Sequence, residues 1–288
     1  MALGLTCVVL VAEVVGAWIS GSLALLSDAA HMFTDAAALA IALSAARLSQ
    51  RPADARRSFG YHRFEILAAA LNAVLLLLAS AYILFEAASR AFDPPRVESN
   101  AMLAVAVLGL LTNLAGMWLL YSGREQNLNL RGAYLEVWSD MLGSVGVIAA
   151  ALVIGATGWL WVDPLVAALI GLWVLPRAWH LLRASAHVLL EGTPEHIDLQ
   201  ALERDLLATA GVRGVHDLHV WSLGSRSVSL SVHLVMHESV DRPEELLERV
   251  RAQLASHFGI HHSTVQLERR ACDQAHLPHS FEAGGHAH

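Results

Sequence analysis

Six stretches of the chain, at roughly 3–24, 27–48, 64–90, 100–121, 131–155 and 160–182, are apolar with few interruptions. A helix needs about 20 such residues to cross a bilayer, where lipid offers backbone groups no partner. The pattern therefore predicts six transmembrane helices. Ser20-Gly21-Ser22 makes a tight break between the first two, which should form a hairpin, and Asp93-Pro94-Pro95, residues 124–129 and residues 155–158 mark later turns. A cleaved signal peptide is disfavoured, because no basic segment precedes the first stretch and Glu13 interrupts it.

After Glu191-Gly192 the pattern becomes that of a small water-exposed domain. Residues 195–210 read as an amphipathic helix stopped by Gly211, and Asp241-Arg242-Pro243-Glu244 resembles a capping box opening a helix that ends at Gly259. Between them Val228, Leu230, Val232, Leu234 and Met236 alternate with Ser227, Ser229, Ser231 and His233, the signature of a strand with one wet face. Strands near 215–223 and 264–269 complete an αββαβ order, predicting helices packed on one face of an open sheet. The expected fold is thus a multi-pass α-helical membrane protein with a terminal α+β domain. Its divisions are a six-helix domain over 1–190, an α+β domain over 191–271, and a His-rich tail over 272–288.

Composition agrees: 55% of the 288 residues are hydrophobic and 16% charged, with a mean hydropathy of +0.48. Residues 1–190 carry 11 Arg against 12 acidic residues, and 191–288 carry 8 against 14. All 19 basic residues are Arg, so neither a Walker lysine nor a Schiff-base lysine exists, and an ATP-driven pump is disfavoured. Cys7 and Cys272 form no CxxC, which leaves no thiolate zinc ribbon. Twelve of the 16 His fall after residue 190, and with the acidic excess they point to cations rather than nucleic acid as partners. No HExxH motif supports a metalloprotease, and no enzyme activity is expected. In a six-helix arrangement Arg47, Arg51, Arg56, Arg57, Arg63, Arg124, Arg131, Arg177 and Arg183 share one side, against Arg90 and Arg96 on the other. That bias predicts cytoplasmic termini; the location expected for the chain is the cell inner (plasma) membrane.

Ionisable groups within the apolar stretches cost at least about 2.5 kcal/mol each on insertion scales, so each needs a partner or a task. His31 and Asp35 stand four apart in the second stretch, on one helical face, and Glu136 and Asp140 repeat the spacing in the fifth. At 1.5 Å per residue, Asp35 lies roughly 13 Å below one surface and Asp140 about 16 Å above the other, in a layer about 30 Å thick. Both pairs thus reach the midplane, and one imidazole with three carboxylates suits a tetrahedral divalent cation such as zinc. An interhelical hydrogen-bonded contact, or a proton relay without metal, uses the same residues.

The stretches SLALLSDAAHMFTD (22–35), FGYHRFEIL (59–67) and GVHDLHVWSL (214–223) resemble the cation diffusion facilitator family, near its vesicular zinc transporter branch, and the similarity covers nearly the whole chain. The resemblance implies six helices with a cytoplasmic ferredoxin-like domain, assembled as a homodimer that exports Zn2+, with Co2+ or Cd2+ as related cargo, in exchange for protons. It places the transport site at His31, Asp35, Glu136 and Asp140. The zinc branch usually has His where this chain has Glu136, and three carboxylates leave the loaded site at −1 unless a proton or an Arg compensates. Glu136 is therefore expected to hold or exchange an extra proton and to widen selectivity towards Co2+ or Cd2+.

In the terminal domain, His216 and His233 lie on adjacent predicted strands, and His261 and Glu268 flank the last. The resemblance marks these four as a cytoplasmic zinc site, while Cys272, lacking a second cysteine nearby, weakens the case for another. Asp28 reads as the N-cap of the second helix, Asp163-Pro164 as a helix start, and Glu13, Asn72, Glu86 and Asn113 as interhelical hydrogen-bonding groups or pathway residues. The Arg-rich loop over 51–63 is first a topology signal, with anionic lipid or a second metal at His62 as further readings. Proton-coupled export by alternating access is the expected function. A metal-sensing membrane receptor without net transport is the alternative.

Overall fold

The computed structural model describes residues 2–49, 53–121, 128–224 and 227–271, with side chains described except at 2–6, 35, 38–39, 42–43, 45–46, 48–49, 116, 119–121 and 128–136. It divides into two compact units, Met1–Ala46 with Ala68–Arg183, and Arg47–Leu67 with Ala184–His288. The loop between the second and third helices thus folds with the terminal domain.

The first unit is built from six helices: α1 (Ala2–Ser20), α2 (Leu23–Ser49), α3 (Arg63–Phe92), α4 (Ser99–Tyr121), α5 (Leu128–Thr157) and α6 (Val162–Leu189). Among the described residues, 63–92, 137–157 and 162–189 are long and apolar enough to cross a membrane. Their large side chains face outward, as Phe85 and Trp173 do at 73% and 63% exposure, which water would penalise and lipid does not. The interior is lined by small residues that let helix backbones approach: Ala17, Ala87, Ala106, Ala150, Ala151 and Ala167 pack with Leu23, Met102 and Ile154.

The α1–α2 hairpin forms as expected, with Gly21 in the left-handed region at φ +70° and its N–H donating to Ala17 O at 2.9 Å. Its boundary differs from the sequence reading, because α2 begins at Leu23 rather than near 27. The Ser22 hydroxyl accepts from Leu25 N at 3.1 Å. The buried Asp163 carboxylate, arriving from α6, accepts from Leu23 N at 2.7 Å, Ala24 N at 3.1 Å and the Ser22 hydroxyl at 2.5 Å. Together they satisfy the orphan donors of the α2 N-terminus. Asp28 is accordingly not an N-cap; it lies more than a turn inside α2 and is 2% exposed.

In the second unit, α7 (Leu199–Leu207), β1 (Val212–Ser222), β2 (Val228–Met236), α8 (Pro243–Phe258) and β3 (His262–Glu268) follow the predicted αββαβ order. The sheet runs β1-β2-β3, the first pair antiparallel and the second parallel. Leu202 and Leu206 of α7 and Leu246, Val250 and Leu254 of α8 pack against Leu218, Val220, Leu230, Val232 and Leu234 of the sheet. That core leaves the opposite sheet face to polar side chains. The Asp198 carboxylate caps α7, accepting from Gln200 N at 2.9 Å and Ala201 N at 3.3 Å. The capping box expected at α8 does not form: Arg242 occupies the cap with no side-chain bond to the backbone N–H groups of the first turn, its guanidinium pairing instead with Glu245 at 2.6 Å, and Pro243 opens the helix with a fixed φ and no N–H to satisfy.

Candidate functional site

Two constellations of ligand-type side chains emerge, one in each unit. In the first, α2 carries His31 and α5 carries Asp140, and the His31 Nε2 lies 3.3 Å from Asp140 Oδ1, with both side chains at least 86% buried. Two donors each about 2.0–2.1 Å from a tetrahedral zinc stand about 3.3 Å apart, so this pair has the spacing of adjacent ligands. Asp35 lies one helical turn beyond His31 on α2, and Glu136 one turn before Asp140 on α5. The side chains of Asp35 and Glu136 are outside the described residues.

The first unit also buries polar groups to which the sequence reading gave little weight. Glu13 of α1 is 1% exposed, and Asn113 of α4 and Asn72 of α3 are also buried. Glycines admit the carboxylates: a Cβ at Gly109 of α4 would meet Glu13 Oε1 at 2.7 Å, and one at Gly143 of α5 would meet Asp28 Oδ1 at 2.9 Å. Asp28 also accepts a long hydrogen bond from the Ser144 hydroxyl, 3.5 Å away. Acidic residues within helices whose neighbours carry mid-helix glycines were the available signal. Glu86, by contrast, is an ion-pair partner for Arg90 at 2.9 Å, and that Arg also donates to Gly21 O at 2.7 Å.

The second constellation sits on the polar face of the terminal sheet. His216 and His233 are register partners across β1 and β2. The Glu268 carboxylate bridges them, with Oε2 3.0 Å from His216 Nε2 and Oε1 3.1 Å from His233 Nδ1. Candidate ligand atoms of the three residues lie within 4.8 Å of one another. The buried Nδ1 of His216 has no hydrogen-bond partner among the described residues, a cost that a cation coordinated at that nitrogen would remove. This donor set of two imidazoles and a carboxylate fits zinc.

His261 is not part of that group. It is exposed and precedes β3, whereas Glu268 closes the strand, and at about 3.3 Å per residue the two are about 23 Å apart along the chain. Asp217 instead approaches the cluster, 3.7 Å from His233 Nε2 and 3.1 Å from His219 Nε2. It stands at an irregularity between His216 and His219 in the β1–β2 ladder, at φ +52°, and such bulges re-aim side chains. No alternation pattern announces this bulge.

Comparison with known proteins shows the family to which the chain belongs. The cation efflux transmembrane domain family matches residues 1–190, and the cytoplasmic domain family of cation efflux proteins matches residues 194–270. The chain belongs to the cation diffusion facilitator family. Similar relatives include the cation efflux system protein CzcD of Alcaligenes sp., 55% identical over 283 residues that span 98% of this chain and 90% of that one. The zinc transporter ZitB of Pectobacterium atrosepticum is 45% identical over 287 residues, covering 98% and 88% of the two chains. The cadmium, cobalt and zinc/H(+)-K(+) antiporter of Bacillus subtilis is 43% identical over 266 residues, covering 91% and 85%. This family member is accordingly a membrane transporter for metal-cation efflux rather than an enzyme.

Proposed function

We propose that this family member exports Zn2+, with Co2+ and Cd2+ as further cargo, from the cytoplasm in exchange for protons. It does so as a homodimer in the cell inner membrane, with both termini cytoplasmic. The ion is held by His31, Asp35, Glu136 and Asp140. The observation that carries this reading is the buried contact between His31 and Asp140, which brings imidazole and carboxylate from α2 and α5 to the spacing of two ligands on one ion. The names of the zinc transporter ZitB and of the proton-linked antiporter relative support the cargo and the coupling.

Metal binding requires a neutral imidazole and ionised carboxylates, so protons and metal compete for one set of atoms. A site opened to the cytoplasm captures metal. The same site opened to the outside loses it as protons arrive, and alternation between the two states exports the ion. The terminal domain binds a regulatory metal at His216, His233 and Glu268, and it affects export through unequal affinity for two conformations of the dimer.

The test is radiolabelled or dye-reported Zn2+ uptake into proteoliposomes, with internal pH read at the same time. His31→Ala and Asp140→Ala, each still binding Zn2+ at the terminal domain, should both lose transport. Wild-type rates in either variant would sink the proposal.

A further inference from the structure

The loop joining α2 and α3 folds with the terminal domain in the second unit, and it is built rather than loose. The Asp54 carboxylate accepts from Arg56 N at 2.8 Å, Arg57 N at 2.9 Å and the Tyr61 hydroxyl at 2.7 Å. Gly60 turns the chain at φ +75°, its N–H donating to Arg57 O at 2.9 Å. Phe59 packs edge-on against His262, centroids 5.8 Å apart. Gly224 lies so close to His62 that a Cβ there would be 3.3 Å from the His62 Cβ. The loop is thereby seated on the strand ends.

Between loop and sheet lies a cavity of about 920 Å³, with Arg56, Arg57, His62 and Arg63 on the loop side and His219 and Trp221 on the β1 side. Arg63 is paired with Glu191 at 2.9 Å. Among the described residues, neither the Arg56 nor the Arg57 guanidinium forms an ion pair with a carboxylate. The Arg57 guanidinium stacks over Tyr61 and Phe64, 4.8 and 5.2 Å from their centroids, which holds the fork in place while leaving its donors free to bind. Clustered guanidiniums beside aromatic rings in a concave site of this size are the chemistry that recognises a phosphate oxyanion.

We propose that this cavity binds the phosphate of an anionic ligand, with Arg56 and Arg57 as the primary contacts. Two sources share that chemistry: the headgroup of an anionic phospholipid, supplied where α2 and α3 meet the membrane surface, and free phosphate from the cytoplasm. The site uses none of the proposed metal ligands, so its failure would leave the transport reading untouched.

Isothermal titration of the full-length detergent-solubilised protein tests it, using short-chain phosphatidylglycerol, short-chain phosphatidylcholine and inorganic phosphate as separate probes below micelle-forming concentrations. Saturable binding of phosphatidylglycerol without inorganic phosphate assigns the lipid source, and saturable inorganic phosphate assigns the free one. In either case Arg56→Gln and Arg57→Gln should each weaken binding by about tenfold. Arg56 makes no side-chain bond among the described residues, so its replacement does not threaten the fold. The exposed Arg251→Gln on α8 should leave affinity unchanged. No saturable binding by phosphatidylglycerol or phosphate, equal binding of phosphatidylcholine and phosphatidylglycerol, unchanged affinity in Arg56→Gln with Arg57→Gln, or an equal loss in Arg251→Gln would overturn the site.

Discussion

His31 and Asp140 show how chemistry and fold depend on each other at the scale of single residues. Each would be expensive alone in an apolar helix, and their meeting across α2 and α5 is what makes both tolerable. Asp163 solves a different problem with a similar group, because its carboxylate is fully buried and is used entirely in capping α2. Asp163→Ala should leave buried donors unsatisfied and cost about 1–3 kcal/mol, lowering the thermal midpoint of the solubilised protein. Ser22→Ala should cost less, since the two backbone N–H groups keep their acceptor. Glu136→His would remove one negative charge from the proposed transport site. The expected outcome is transport of Co2+ and Cd2+ that falls relative to Zn2+ and a changed pH dependence, read from uptake assays across metals and pH. An unchanged profile would remove the selectivity argument.

At the scale of elements, the α2–α3 loop offers a prediction with a definite sign. The Tyr61 hydroxyl, followed by the Arg56 N–H, holds the Asp54 carboxyl below the ordinary aspartate range, with the Arg57 N–H and charge adding to the effect. Since the folded value is depressed, the turn is stabilised above the unfolded aspartate pKa of about 3.9, and that contribution is lost as pH falls through the lower folded value. Carboxyl-carbon NMR titration of Asp54 should give a midpoint below that of unfolded aspartate, and Tyr61→Phe should move it back up. The αββαβ order was legible because Leu230, Val232 and Leu234 announce a strand by alternation, and the buried face obeys it. Helices α1–α6 were legible because bilayer thickness fixes their length. Their joints were not. The cap on α2 comes from Asp163, near the start of α6, and a local pattern cannot register a donor's partner so far along the chain. The same limit applies to Asp217, whose bulge is a property of two strands together.

Whole-molecule behaviour follows from the two proposed metal sites, one between helices of the first unit and one on the polar face of the terminal sheet. The histidine–carboxylate pairing of each was visible as spacing or strand alternation, yet only the folded chain separates Glu268, which joins His216 and His233, from His261, which stays apart. Replacing His216 and His233 together by Ala should abolish metal binding by the terminal domain while leaving the membrane site able to move metal. The readout is a change in how export rate depends on cytoplasmic metal, not a loss of export.

The most direct test of the account is the number of protons that move against each metal ion in sealed proteoliposomes containing wild type or Asp140→Ala. Zn2+ entry and opposite proton flow should rise and vanish together, and the variant should reduce both by about 100-fold, a loss that removing even a hydrogen-bonding partner of a metal ligand can reach. Zn2+ movement in wild type with no accompanying proton flux, or undiminished flux in Asp140→Ala, would contradict it.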